Sequence, residues 1–385
     1  MPPTTDTSTN ATANADDDSK AKPDPGPNRD KIVLVTGING YIASHIGLQL
    51  LEKGYRVRGT SRSASARDHL LTGAFKGHAA QYEHVVVPDI TAKGAFDDAV
   101  RGVHAVIHTA SPVDFTLQSV DAFFAPAIGG NLSILESART AAGPQLTSLV
   151  ATSSIAAIVD RWRLPPTHAY TEHDWNESGE RVARAEFSAP VAYGASKSAA
   201  ERALWEWRAA NKPLAFAVAA INPAVVTGPP VSWPETPEGL NTTLLPIWRI
   251  WSGTCPNGQM PPPIGGAGYI DVRDVARMHV WCVEHPDRSD GQRYILSNGK
   301  APPQAAADLL RERFPERDII VGEPGKGYTG ANYWFPGDEA STVATKAYEA
   351  LGVTRFIPYD RSILDTVAAF EERWPGVAQN FKAKN

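Results

Sequence analysis

Short apolar runs alternate along the chain with longer segments whose apolar residues recur at helical spacing. The first clear run, residues 32–35, consists of β-branched and other apolar residues and is bounded by Thr36 and Gly37. Such a run predicts a strand that is buried on both faces of a parallel sheet. From residue 41 to about residue 53 the apolar positions follow one face of a helix, which ends at Gly54.

The same rhythm of strand and helix continues to about residue 221. Further strands are predicted at residues 55–60, 85–87, 105–107, 148–151 and 216–221. Helices are predicted around Arg67 and Leu70 and at residues 91–100, 120–142 and 189–211. Repeated strand–helix units favour an α/β fold with a doubly wound parallel sheet of the Rossmann type, and right-handed crossovers place helices on both faces.

The pattern changes after residue 223. Prolines break up the stretch to about residue 263, which predicts a cap of loops and helices over the carboxyl ends of the strands. The rest of the sequence mixes short strands, such as residues 294–296, with helices such as residues 303–313. We therefore expect a cofactor-binding Rossmann domain at residues 31–228. A smaller substrate lobe at residues 229–385 is expected to interleave with the last sheet strands.

The first 30 residues have a different composition from the rest of the chain. They are rich in Thr, Asn, Ala, Asp and Pro and contain almost nothing to bury. A segment of this kind cannot offset the entropy lost on ordering. Residues 1–30 are therefore predicted to form a disordered tail.

Composition and charge remove several classes of function. Hydrophobic residues make up 42% of the 385 positions and charged residues 21%, as in ordinary globular enzymes. A formal net charge of −5 gives no basic footprint for nucleic acid and no reason to expect an anionic membrane as a partner. No apolar run is long enough to span a bilayer, and the N-terminus lacks the pattern of a secretory signal.

The two cysteines, Cys255 and Cys282, have neither CxxC nor metal-ligand spacing. A disulfide framework is not expected, which favours a reducing compartment, and we expect a cytoplasmic protein. No His, Asp and Glu cluster has the spacing of a metal site, so no metal is expected.

A glycine-rich loop between the first strand and the first helix is a candidate cofactor site. Gly37 allows a tight turn, Gly40 lets the backbone approach a diphosphate, and the small Ala43 lets helix and strand pack closely. The N-terminus of the helix offers free N–H groups and the positive end of its dipole to phosphates. The cofactor-binding residues predicted here are Gly37, Asn39, Gly40, Tyr41 and Ile42.

The end of the second strand indicates which dinucleotide binds. An NAD site usually has an acidic residue there, which binds the ribose 2′-hydroxyl. Residues 59–63 contain no acid and include Arg62, whose guanidinium suits a 2′-phosphate, flanked by Ser61 and Ser63. The predicted cofactor is therefore NADPH or NADP⁺.

Tyr193 and Lys197 lie four residues apart in the long predicted helix that follows the fifth strand. Side chains at this spacing share one helix face. A nearby ammonium is expected to lower the pKa of the tyrosine, which could then protonate the alkoxide formed when a carbonyl accepts hydride. A hydroxyl at the end of the fifth strand, from Ser153 or Ser154, would orient and polarise that carbonyl.

Four motifs taken together resemble one family of oxidoreductases. They are TGxxGxxA at residues 36–43, Thr-Ser-Ser at 152–154, YxxxK at 193–197 and the segment 269–276. This combination resembles the extended short-chain dehydrogenases/reductases. Within them it is similar to the dihydroflavonol 4-reductase-like branch, which includes fungal and yeast NADPH-dependent aldehyde, methylglyoxal and ketone reductases. The resemblance runs from about residue 31 to near the C-terminus.

The resemblance implies further roles. Relatives use the second serine of the Thr-Ser-Ser motif, which selects Ser154, and their YxxxK lysine also binds the nicotinamide ribose. Arg62 matches the arginine that binds the 2′-phosphate. The remaining implied cofactor-binding residues are Asp89 and Ile90 near the adenine, Thr109, Ala110 and Ser111 along the cofactor, Tyr193 and Lys197 in the catalytic helix, and Pro223 and Val225 at the nicotinamide end.

One position departs from the pattern of many relatives, which have an asparagine where this chain has Gly129. Asn131 would face elsewhere on the helix, so no fourth catalytic residue is assigned. The segment 271–274 marks the family, and we expect it to cap and dock a helix. Candidate pocket residues are Phe115, Trp162, Trp233 and Trp251, and expected surface histidines are His168 and His173.

The function expected from these observations is NADPH-dependent reduction of an aldehyde or ketone to an alcohol. The catalytic residues are Ser154, Tyr193 and Lys197, the partner is a small carbonyl compound, and the protein is expected to be a monomer or homodimer. Two alternatives stay open. One is a nucleotide-sugar epimerase or dehydratase or a 3β-hydroxysteroid dehydrogenase, and the other is a non-catalytic NADP(H)-sensing protein.

Overall fold

The computed structural model of the protein describes most of the chain. The described residues are 27–111, 114–165, 167–264, 268–324, 328–329, 332–333 and 341–376. Most of the predicted tail, residues 1–26, lies outside them. Residues 27–30 belong to the same prediction, but they form turns that are held to the folded chain. Asn28 accepts a hydrogen bond from the backbone of Lys31, and its side chain donates to the Lys53 carbonyl.

Seven parallel strands form the central sheet. They are β1 (Ile32–Thr36), β2 (Arg56–Ser61), β3 (Tyr82–Val86), β4 (Ala105–His108), β5 (Ser148–Thr152), β7 (Ala217–Pro223) and β10 (Arg293–Leu296). Their order across the sheet is β10-β7-β5-β4-β1-β2-β3. The other strands pair two by two and are β6 (Ala169–Tyr170) with β13 (Ser341–Thr342), β8 (Val225–Thr227) with β9 (Tyr269–Asp271), and β11 (Tyr328–Thr329) with β12 (Asn332–Tyr333).

Helices cover both faces of this sheet. Those between its strands are α1 (Tyr41–Glu52), α2 (Ser65–Thr72), α3 (Asp97–Val100), α4 (Val120–Ala141), α5 (Gly179–Ala185) and α6 (Ala189–Ala210). Those after β7 are α7 (Leu245–Ser252), α8 (Val272–Glu284), α9 (Pro286–Ser289), α10 (Pro303–Arg313), α11 (Thr345–Leu351) and α12 (Tyr359–Arg373). This arrangement confirms the predicted doubly wound α/β fold. No helix of the described ranges combines the length and the apolar character needed to cross a membrane.

The first strand shows why its residues are apolar at every position. Successive side chains of a strand point to opposite faces of the sheet. Val33 and Val35 belong to the core under α1 and α8, whereas Leu34 belongs to the core under α3 and α4. All three side chains are fully buried, because helices cover both faces.

The second part of the chain builds its own small core from α7, α10 and α12. Trp248, Trp251 and Phe370 are buried there among aliphatic residues. The same part also returns to the main sheet, because β10 pairs in parallel with β7. The last strand of the central sheet therefore follows the cap in sequence, and this agrees with the predicted interleaving.

One predicted helix is much shorter than expected. The apolar pattern predicts a helix at residues 91–100, but only Asp97–Val100 is helical. The Asp89 carboxylate accepts hydrogen bonds from the backbone and hydroxyl of Thr91, which begins a turn. Gly94 then takes a positive φ of 71°, a conformation that interrupts a right-handed helix.

Candidate active site

The carboxyl ends of the strands meet along one edge of the central sheet. The strand order reverses between β1 and β4, because the chain winds outward from β1 in one direction and from β4 in the other. In open parallel sheets, ligands bind in the crevice at such a point. The sequence-predicted residues Gly37, Arg62, Thr109, Ser154 and Pro223 follow, or lie at, the carboxyl ends of strands along this edge.

The glycine loop fits a dinucleotide diphosphate. Gly37 has a φ of 65°, and a Cβ atom added there would lie 3.1 Å from Cα of Ala110. A larger residue would therefore close the space between the loops after β1 and β4. Gly40 precedes α1, and no described side chain caps that helix. Its first N–H groups and the positive end of its dipole are thus available to an anion.

Thr36 and His108 hold the loop after β4 in place. The Thr36 hydroxyl accepts hydrogen bonds from the backbone N–H groups of Thr109 and Ala110, at 3.1 and 3.0 Å. Its own proton can then be donated to Nδ1 of His108, 2.9 Å away. Burial, and to a lesser extent the Lys197 charge, lowers the pKa of His108 to about 3. His108 is therefore neutral at physiological pH and acts as a fixed support for the loop that includes Ser111.

The turn after β2 presents Arg62 to solvent. Arg62 is exposed, and no acidic residue in the described ranges forms an ion pair with it. The Ser61 hydroxyl is buried and donates to the Ser63 carbonyl at 2.6 Å. His84 lies 3.1 Å from the same hydroxyl and 2.8 Å from the Tyr82 hydroxyl, so side chains of β3 hold the turn in place. The unpaired guanidinium and the fixed turn fit a 2′-phosphate.

The other predicted cofactor residues lie around the same crevice. Asp89 is exposed and holds Thr91, while Ile90 packs over Gly130 of α4, where an added Cβ atom would lie 2.9 Å from its side chain. Pro223 ends β7, and Val225 opens β8 two residues later. These positions extend the crevice to either side of the glycine loop.

Ser154, Tyr193 and Lys197 come together at the end of β5. Ser154 lies close enough to Tyr193 to act on the pKa of its phenol. The Lys197 ammonium lies 5.7 Å from the centre of the Tyr193 ring and donates a 3.0 Å hydrogen bond to the Ser111 hydroxyl. Residues from β5, α6 and the loop after β4 thus form one cluster. Ser153 points away from it and donates to Glu201.

The acid–base properties of this cluster differ from the sequence-based expectation. The sequence predicts that Lys197 lowers the pKa of Tyr193, but burial raises that pKa, and the Ser154 side chain opposes the rise. The expectation is wrong because the loss of hydration of the phenolate outweighs the favourable contacts. Burial also lowers the pKa of Lys197 to about 8, while the Glu201 carboxylate raises it. Tyr193 is therefore protonated at neutral pH, whereas Lys197 has a pKa only slightly above neutral pH.

Glu201 was missed by the sequence analysis. Its carboxylate is buried and accepts hydrogen bonds from Ser153, Asn222 and Arg293, as well as from the Trp205 indole. The signal was present in the sequence, because Glu201 lies one further helical turn along the face that carries Tyr193 and Lys197.

The four aromatic candidates for the substrate pocket lie in different surroundings. The ring of Phe115 lies 5.4 Å from that of Tyr193. Trp162 is 46% exposed and lies on the surface. Trp233 packs edge-on against Phe370 and Trp374, and Trp251 is buried. Both of these tryptophans contribute to the core of the second part of the chain.

Other predicted residues have structural surroundings. His173 is exposed, whereas His168 is half-buried and lies 3.1 Å from Asp174. Asn131 donates to the Ala200 carbonyl and so faces α6. The Asp271 carboxylate caps α8 by accepting from the backbone of Arg273, which confirms the predicted capping role. Within the described ranges, no group of three or more His, Cys, Asp or Glu side chains could hold a metal ion.

Comparison with known proteins agrees with this geometry. A family model described as the NAD dependent epimerase/dehydratase family matches residues 33–297. The NADPH-dependent methylglyoxal reductase GRE2 of Saccharomyces cerevisiae is 34% identical over 77% of this chain and 87% of its own length. Aldehyde reductase 2 of Sporidiobolus salmonicolor is 32% identical over 77% of this chain and 85% of its own length.

The crystal structure of Gre2 from Candida albicans in complex with NADPH is also similar. It is 30% identical to this chain and superposes with a TM-score of 0.78. The superposition covers 89% of this chain and 99% of that structure. The seven-stranded sheet and the cap after β7 are therefore features that the two proteins share.

Proposed function

The chain belongs to the NAD dependent epimerase/dehydratase family, and from this premise we propose that it reduces an aldehyde or ketone to the alcohol with NADPH. The observation that carries the proposal is the cluster of Ser154, Tyr193 and Lys197 at the carboxyl edge of the sheet, beside a glycine loop that fits a diphosphate. Similarity to an NADPH-dependent methylglyoxal reductase and to an aldehyde reductase supports the reductase chemistry.

The residues divide into those that hold the dinucleotide and those that move a proton. Gly37, Asn39, Gly40, Tyr41 and Ile42 would surround the diphosphate, and Arg62 would bind the 2′-phosphate. The other proposed cofactor contacts are Asp89, Ile90, Thr109, Ala110, Ser111, Lys197, Pro223 and Val225. When bound, the nicotinamide supplies hydride to the carbonyl carbon.

Tyr193 is the proposed proton donor. Its raised pKa keeps the phenol protonated at neutral pH, the form needed to protonate an alkoxide. Ser154 lies close to Tyr193 and would bind the same carbonyl oxygen. Lys197 places a positive charge beside the ring and stabilises negative charge that develops on the phenol oxygen.

The substrate is proposed to enter between the two parts of the chain. Phe115 packs against Tyr193 and gives the catalytic cluster an apolar wall. Residues 31–228 are proposed as the cofactor-binding domain and residues 229–385 as the substrate-binding part. Val225 of β8 and two side chains of α7, Ile247 and Ile250, line one cavity. A carbonyl compound with an apolar substituent suits these surroundings.

The first test is oxidation of NADPH and NADH, followed by absorbance, in the presence of aromatic aldehydes, diketones, ketoesters and a dihydroflavonol. The expected result is turnover with NADPH, which Tyr193→Phe lowers by about 10²- to 10⁴-fold because the proton donor is lost. Tyr348→Phe is the matched control. It removes a phenol that hydrogen-bonds with Asn298 outside the crevice, and it should leave turnover unchanged.

Other outcomes of this test point to the alternatives. NAD retained by the purified protein, together with no carbonyl turnover, would favour a nucleotide-sugar enzyme. Tight NADPH binding without turnover of any carbonyl would favour a sensing protein. Full activity of Tyr193→Phe would contradict the proposed proton donor.

A further inference from the structure

We propose that Glu201 is a positioning residue that fixes the strand end carrying Ser154 and stabilises the positive charge of Lys197. The role of these two residues rests on the proposed function. The arrangement around Glu201 is independent of the proposed function, because it is formed by side chains from four elements of the sheet and its helices.

Glu201 is a buried carboxylate whose two oxygens are both hydrogen-bonded. It is only 2% exposed. Oε2 accepts from the Ser153 hydroxyl at 2.5 Å and from the Asn222 amide at 2.7 Å. Oε1 accepts from Nε of Arg293 at 2.6 Å and from the Trp205 indole at 3.2 Å. Both oxygens therefore have two donors each, and one of the four donors, Arg293, is charged.

These contacts hold the backbone around Ser154 from two sides. Ser153 immediately precedes Ser154, and its hydroxyl is committed to Glu201. The Asn222 amide that donates to Glu201 also donates to the Ser154 carbonyl at 3.1 Å. One carboxylate on α6 therefore connects the ends of β5 and β7. The position of the Ser154 hydroxyl relative to Tyr193 depends on both strand ends.

Glu201 and Lys197 also line the same small cavity. Its lining comes from α4, α6, β4, β5, β7 and the loops after β4 and β5, and it leaves about 10 Å³ for the centre of a water molecule. This volume is close to the minimum needed to hold one water. Its polar lining residues are His108, Ser111, Asn131, Thr152, Ser153, Lys197 and Glu201.

The charged groups around the cavity have clear roles. Lys197 is buried, which lowers its pKa to about 8, and the Glu201 carboxylate acts in the opposite direction. His108, from β4, is neutral, because its pKa is about 3. Tyr193 lies on the same helix and is protonated. Arg293, from β10, forms an ion pair with Glu201 and does not line the cavity.

Glu201→Gln tests the charge with little change in shape. Glu201 favours the ammonium form of Lys197, so its neutralisation lowers the pKa of Lys197 further below 8. The expected shift is about one pH unit downward. The alkaline limb of kcat should move to lower pH by the same amount. A purely structural role would reduce stability or overall rate and leave this limb in place.

The direct readout is the titration of Lys197 itself, by NMR of the full-length protein with lysine labelled by ¹³C at Cε. Lys197→Met identifies the signal. Because this titration needs neither cofactor nor substrate, it decides the inference even if the protein proves not to reduce carbonyls. An unchanged midpoint in Glu201→Gln would overturn the proposal.

Two further variants separate charge from contact. Ser153→Ala removes one hydrogen bond but keeps the carboxylate, so the Lys197 midpoint should stay near 8 while the rate falls through displacement of Ser154. Glu201→Asp keeps the negative charge, so the titration midpoint of Lys197 should return most of the way to about 8. If Glu201→Gln does not fold because Arg293 is left buried without a charged partner, the double variant Glu201→Gln/Arg293→Gln is read by the same criterion.

Discussion

Arg62 is the single residue with the largest expected effect on which dinucleotide binds. Replacing it with alanine would remove the proposed charge-assisted contact with the 2′-phosphate, worth about 1.5–3 kcal/mol. We expect KM for NADPH to rise by about 10- to 100-fold, with little change in KM for NADH. Steady-state kinetics with both cofactors and one carbonyl substrate measures the difference.

The matched control for Arg62 is Arg56, which is also exposed but lies at the other end of β2. Arg56→Ala should leave both KM values unchanged, because the amino end of the strand points away from the crevice. A similar loss of NADPH affinity in the two variants would mean that overall charge, and not a specific phosphate contact, controls binding.

At the scale of elements, Asp271 joins β9 to α8. Its fully buried carboxylate caps α8 and forms an ion pair with Arg273, at 2.9 and 2.8 Å respectively. Asp271→Ala should lower the free energy of unfolding by about 2–4 kcal/mol, since it removes the cap and one partner of a partly buried ion pair. Chemical denaturation gives this value.

Ser119 provides the comparison for a cap without an ion pair. Its hydroxyl caps α4 by accepting from the backbone of Ala122 at 3.3 Å, at an exposed position. Ser119→Ala should cost only about 1 kcal/mol. Equal losses for the two variants would show that the Arg273 contact adds nothing to the stability of α8.

The whole molecule is expected to unfold in one cooperative transition. The part of the chain after β7 returns β10 to the main sheet, and Arg293 of β10 forms a buried ion pair with Glu201 of α6. Helix α8 packs in the same core as β1 and α1. Because the main sheet and its core contain elements from both parts of the chain, tryptophan fluorescence and far-UV circular dichroism should report the same denaturation midpoint.

Binding of NADPH to the native protein should raise that shared midpoint for both probes together. Trp248 and Trp251 lie in the core of α7, α10 and α12, so fluorescence is sensitive to that part of the chain. A fluorescence transition at lower denaturant concentration than the circular dichroism transition would contradict the prediction. It would show that the cap unfolds independently.

The sequence by itself determined the fold class, the glycine loop and the helix that carries Tyr193 and Lys197. These features depend on local patterns, such as the apolar run at residues 32–35 and the helical spacing of Tyr193 and Lys197. Buried parallel strands must be apolar at every position, and a close backbone approach requires glycine, so both are visible without knowledge of distant contacts.

Only the tertiary structure decided which distant groups meet and how strongly each is buried. Phe115 lies beside Tyr193, whereas Trp251 is buried in the core, although the sequence offers both as aromatic candidates for the substrate pocket. Glu201 contacts Arg293 across a long stretch of chain. Burial of Tyr193 reversed the expected direction of its pKa shift. Desolvation and long-range pairing depend on the packed arrangement of all the elements, and no local pattern records that arrangement.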